Sequence, residues 1–121
     1  MSKFLRFQVI TDISLMNERL MTILSELRQA LEALYGERLE QVILFGSQAR
    51  SDTQFGSDID VLVVLSGNVH PGEEIRRTGG IISQISLKND VVISSIFMAS
   101  ERYTHEQSPL LRNVRREGVT V

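Results

Sequence analysis

Residues 41–65 read QVILFGSQARSDTQFGSDIDVLVVL, and this stretch decides the fold. Gln41 to Phe45 is a short, mostly apolar, β-favouring run that ends at Gly46, and Ile59 to Leu65 is a second run dense in valine, leucine and isoleucine. Both read as strands buried on two faces, which calls for helices packed on a sheet. The flanking sequence supplies those helices. Upstream, Ile13, Met16, Leu20, Ile23, Leu24, Leu27, Leu31 and Leu34 recur every third or fourth position and trace one face of an amphipathic helix over 13–34, with Gly36 as its stop. Downstream, Ser66 to Gly72 carries Gly, Asn and Pro and reads as a loop. Ile75, Ile82 and Ile85 then mark a weaker helix that contains the pair Gly79-Gly80. A third strand is expected from about Asp90 to Met98. Ser108-Pro109 supplies an N-cap and a first-turn proline for a helix through Arg116, stopped by Gly118, with a terminal strand at 119–121. The expected fold class is α/β (α+β), a small mixed β-sheet with helices packed on it.

Composition bounds the reading. A chain of 121 residues, 42% hydrophobic and 23% charged, is the size of one domain spanning 1–121, large enough for a single core without disulfide or metal staples. Cysteine is absent, which excludes disulfides, thiolate nucleophiles and zinc-thiolate sites. No apolar run approaches a membrane span and the N-terminus lacks a signal-peptide core, so the expectation is a cytoplasmic protein with no membrane partner. A formal net charge of −2 argues against broad electrostatic binding to nucleic acid.

The chemistry sits in Phe45-Gly46-Ser47-Gln48-Ala49-Arg50 and Gly56-Ser57-Asp58-Ile59-Asp60-Val61. Gly46-Ser47 follows a buried strand and precedes an expected helical turn, so backbone N–H groups and the Ser47 hydroxyl face an arriving phosphate, with glycine allowing close approach. Arg50, one turn on, brings a planar fork of donors to the same phosphates. Asp58 and Asp60, one residue apart at a strand start, project from one face. Two carboxylates so close repel unless a cation lies between them, and Mg²⁺, which takes one or two carboxylates plus phosphate oxygens and water, suits that place. Asp90, at the opening of the third strand, is the candidate third carboxylate. Such a set stabilises the entering and leaving oxygens of an in-line nucleotidyl displacement.

Alone, an Asp-x-Asp is a common strand-end pair, and it is the flanking strands and both Gly-Ser steps that make this one informative. An EF-hand would need an oxygen ligand where Leu62 stands, and no Walker Gly-Lys-Ser/Thr exists in the chain. Neither His70 nor His105 has a context that would activate Ser47 as a nucleophile. Arg112, Arg115 and Arg116 fall near a helix C-terminus, where positive charge is favoured in any case.

Gly46-Ser47, ten intervening residues and then Asp58-Ile59-Asp60 resembles the signature of the DNA polymerase β-like nucleotidyltransferase superfamily, and the short form resembles its minimal members, including the antitoxins paired with HEPN toxins. Residues 108–118 resemble the usual ending of that family. The resemblance implies that Gly46 and Ser47 hold the nucleotide triphosphate, beside which Arg50 and Ser57 are further candidate nucleotide-binding residues, that Asp58 and Asp60, with Asp90 as the third carboxylate, are catalytic and bind Mg²⁺, and that ATP is the substrate. It further implies transfer of AMP to a hydroxyl, a tyrosine by analogy, of a HEPN ribonuclease toxin in a hetero-oligomer. The alternatives are a non-catalytic partner-binding antitoxin that keeps its nucleotide site, and a transferase acting on a small molecule or tRNA. A domain spent almost wholly on sheet, phosphate cradle and carboxylates is expected to take its specificity from another protein.

Overall fold

The computed structural model describes residues 2–46 and 58–121, with residues 2–17 given by backbone alone. A long helix α1 (Ser2–Tyr35) leads through a 3-10 turn at Gly36–Arg38 into β1 (Leu39–Phe45). Then come β2 (Ile59–Leu65), α2 (Pro71–Asn89), β3 (Ile93–Ala99), the short α3 (Ser100–His105), α4 (Pro109–Glu117) and β4 (Val119–Thr120). The sheet order is β3-β2-β1-β4, with β1 antiparallel to both β2 and β4 and β2 parallel to β3. This is the expected small mixed sheet with packed helices.

β2 is central, and its sequence shows why. Every residue of it except Asp60 is buried. Ile59, Val61, Val63 and Leu65 face one way, into a core with Ile23, Leu24, Leu27 and Leu31 of α1 and Ile85 of α2. Leu62 and Val64 face the other way, against Ile43, Met98 and the α4 residues Leu111 and Val114. A strand alternates its side chains, so only a run without polar interruptions fills both layers. Each buried aliphatic side chain contributes about 1.5–3 kcal/mol relative to exposure, which makes β2 the element the rest is built around.

Three boundaries differ from expectation. α1 begins eleven residues before Ile13, and β1 begins at Leu39 rather than Gln41. The third strand begins at Ile93, not Asp90. The reason is local: α2 runs unbroken through Gly79-Gly80 to Asn89 and closes with Asp90 in the left-handed region (φ 54°, ψ 50°). The Asp90 N–H then donates to Leu87 O at 3.4 Å and the Val91 N–H to Ser86 O at 3.0 Å, the double closure of a Schellman turn. At the other end of the chain the expected cap is present, with Ser108 Oγ accepting from Leu111 N–H at 3.2 Å and Pro109 in the first turn. A Cβ at Gly118 would lie 2.7 Å from Ile43 Cγ2 and against the Val114 carbonyl, so glycine lets the chain turn tightly from α4 into β4.

Candidate active site

The site forms where the end of β1 meets the start of β2. Antiparallel register sets Phe45 opposite Asp60, and on the other side parallel register sets Ser94 beside Asp60. Asp58, exposed, stands immediately before the strand, and Asp60 is half-buried. Between them Ile59 is buried in the core and its N–H donates to Val92 O at 2.8 Å, which anchors the backbone that carries both carboxylates. The strand end is therefore held from below by packing and from the side by a ladder bond.

Gly46 explains the first half of the motif. Its φ is +78°, in the left-handed region, and a Cβ built there would lie 2.8 Å from Asp60 Oδ2. The Asp60 carboxylate thus lies against Gly46, where a residue with a Cβ would have to displace the end of that side chain and adopt a left-handed backbone. Burial pushes the Asp60 carboxyl above its ordinary range, and the charge of Asp58 pushes it in the same direction. Two like charges held together on a rigid strand end, one of them partly desolvated, are a standing invitation to a cation.

The donor set fits a hard divalent cation: two carboxylates fixed by backbone anchoring, with no sulfur or imidazole near them in sequence. Among the described residues no group of three His, Cys, Asp or Glu side chains comes together in a geometry suited to a metal. Asp90 is accordingly not gathered with Asp58 and Asp60. It is exposed and occupies the Schellman turn, four residues before the position that lies beside Asp60. The residue at that position is Ser94, which the sequence motifs do not single out. The signal was the alternation of Ile93, Ser95 and Phe97 with Ser94, Ile96 and Met98, which assigns Ser94 to the Asp60 face once the parallel register is known. Ser47, Arg50 and Ser57 lie outside the described residues.

The remaining candidates are elsewhere. His70 and His105 are both exposed, at the start of α2 and the end of α3. The Arg115 guanidinium lies 5.5 Å from the centre of the Tyr103 ring and donates to Tyr103 O, and Arg116 donates to Asn113 Oδ1 at 2.7 Å. Both therefore make local contacts, as the helix-end reading expects. A cavity of about 750 Å³ opens at the far end of the parallel strands, lined by Asn68, Ser100, Arg102, His105 and Glu106, away from the carboxylates.

Comparison with known proteins identifies the family of the chain. The family model described as a nucleotidyltransferase domain matches residues 24–117, which include β1, β2 and both carboxylates. Two Methanocaldococcus jannaschii proteins provisionally named protein adenylyltransferases are each 36% identical. One aligns over 96 residues, 78% of this chain and 90% of the relative, and the other over 74 residues, 61% and 74%. Among solved structures, a nucleotidyltransferase fold from Sulfolobus solfataricus superposes with a TM-score of 0.61 at 20% identity, covering 89% of this chain and 84% of that one. A chain of a toxin-antitoxin crystallised with AMP-PNP superposes at 0.54 and 16% identity, and this chain spans 75% of its own length but only 66% of that chain. At those identities the structures speak for the fold alone. The match runs from Leu24 to Glu117, most of the sequence, and the chain belongs to the nucleotidyltransferase domain family.

Proposed function

We propose that this nucleotidyltransferase is a Mg²⁺-dependent protein adenylyltransferase that moves AMP from ATP onto a hydroxyl of a partner protein. The observation that carries the reading is the Asp58–Asp60 pair, with Asp60 seated on Gly46. The names of the 36%-identical relatives favour a protein acceptor over a small molecule. In this reading the backbone at Gly46, with Ser47, Arg50 and Ser57, holds the triphosphate, and Asp58 and Asp60 hold the cation. The ion, when bound, neutralises the phosphate oxygens and increases the electrophilicity of the α-phosphorus. The acceptor oxygen forms the new bond to that phosphorus, the bond to pyrophosphate breaks, and one carboxylate of the pair takes the hydroxyl proton.

The partner we propose is a HEPN ribonuclease toxin modified on tyrosine, which makes this chain the cytoplasmic antitoxin of a hetero-oligomer. What supports a toxin as the partner class is the fold shared with a chain of a toxin-antitoxin complex; the HEPN ribonuclease and the tyrosine come from the family resemblance. Among the described residues no helix is long and apolar enough to cross a membrane.

The test is transfer of label from ATP in the presence of Mg²⁺ to the product of the neighbouring reading frame, followed by intact mass. Addition of AMP to that protein, lost in Asp58→Ala and Asp60→Ala, is the expected result. Full neutralisation of the partner by both variants would overturn catalysis in favour of simple binding.

A further inference from the structure

The face that carries Asp60 has a third side chain. At one level of the sheet, register aligns Phe45 of β1, Asp60 of β2 and Ser94 of β3. Neighbouring strands lie about 4.8 Å apart, and residues in register on adjacent strands project from the same face. Ser94 is exposed, while Ile93 and Phe97 beside it are buried on the opposite face, so its hydroxyl stands on the open, carboxylate side of the sheet. Phe45 closes the other flank of Asp60 with an apolar ring that offers no ligand. Any cation held by Asp58 and Asp60 that needs a further protein oxygen from the sheet has Ser94 to supply it.

We propose that Ser94, and not Asp90, is the third side chain of the metal–nucleotide site, contributing a neutral hydroxyl oxygen to the hydrated shell of the cation. Mg²⁺ retains several waters and is satisfied by one or two carboxylates plus phosphate oxygens, so a hydroxyl that accepts or donates a hydrogen bond completes that shell without a third negative charge. The site then carries two carboxylates rather than three. Asp90 is left with a separate job, ending α2 in a left-handed conformation that Asp tolerates better than most residues.

The proposal rests on Asp58 and Asp60 being the cation ligands, and the experiment separates the two claims. Mn²⁺, as a spectroscopic substitute for Mg²⁺, is titrated into the nucleotide-free protein and free Mn²⁺ is read by electron paramagnetic resonance, with thermal melts confirming that each variant is folded. Ser94→Asp should tighten Mn²⁺ binding at least about tenfold by adding a charge beside Asp60, and Ser94→Ala should loosen it by about two- to fivefold. Asp90→Asn should leave it within about twofold of the unsubstituted protein. Unchanged binding in both Ser94 variants, or a loss in Asp90→Asn as large as that in Asp58→Asn, overturns the role of Ser94 while the carboxylate pair stands. Unchanged binding in Asp58→Asn overturns the pair itself, and the proposal with it.

Discussion

Asp60 is held where its charge is least welcome, half-buried beside Phe45 and two positions from Asp58. Its carboxyl is raised in the folded protein, so its contribution to stability is present at pH below the ordinary aspartate value of 3.8 and is lost as pH rises through the raised one. At neutral pH the ionised group therefore works against the fold. Asp60→Asn should melt at a higher temperature than the unsubstituted protein at pH 7, and calorimetry should show the difference shrinking as the pH is lowered towards 4. The same variant should lose transfer, a trade of stability for activity at one side chain. Gly46 is bound to the same group. Gly46→Ala should cost about 1–2 kcal/mol in urea denaturation for the left-handed backbone alone, with the contact on Asp60 Oδ2 adding to it. In an Asp60→Ala background the contact disappears, so a double-mutant cycle should return a coupling between the two positions. The Gly-Ser and Asp-x-Asp spacing was legible because it is local chemistry. Ser94 was not, because its place beside Asp60 depends on a strand register that no short motif encodes.

Among the elements, α2 departs furthest from its own propensities. Gly79 and Gly80 lie in the interior of the helix, and a Cβ at either meets nothing within 4 Å. Gly79→Ala and Gly80→Ala should each stabilise the protein by about 0.5–1 kcal/mol, measured as a shift of the urea midpoint at constant slope. What holds α2 in place is tertiary. Glu74, 2% exposed, accepts a hydrogen bond from Tyr35 Oη at 2.7 Å at the end of α1, and Arg77 Nη1 approaches the same oxygen at 3.6 Å. Burial first, and the Glu74 hydrogen bond second, push the Tyr35 hydroxyl well above the ordinary value of 10.0. That contribution is complete below pH 10 and is lost as the pH rises further. A pH series of thermal melts should show an alkaline loss of stability starting near pH 10, and Tyr35→Phe should flatten it while costing about 1–3 kcal/mol at neutral pH by leaving Glu74 one donor short. Helix periodicity and the Ser108 cap were visible in the sequence. The Tyr35–Glu74 pair was not, since polar partners 39 positions apart leave no periodic trace.

Across the whole molecule, the first two connections of the sheet are of unequal kind. β1 and β2 are antiparallel neighbours joined across residues 46–58, whereas β3 joins β2 in parallel only after the crossover 66–92, about twice as long, which contains α2. The unbroken apolar runs announced a doubly covered sheet, but they carried no record of strand order or direction. Loop closure costs about 0.6 kcal/mol more for each doubling of length, and a crossover also waits on its helix. The β1–β2 pair is therefore the sheet contact available first. In folding and unfolding kinetics, Leu44→Ala should mainly slow folding and Phe97→Ala mainly speed unfolding, each at an equilibrium cost of about 2–5 kcal/mol. Similar φ-values at the two positions would show that the sheet condenses as one. Since the first pairing already places Phe45 opposite Asp60, the chain sets down its acidic pair before the strand that bears Ser94 arrives. A partly folded chain would then present both carboxylates while still lacking its third strand, and on the proposed function a divalent ion would bear on the order of assembly as well as on the finished enzyme.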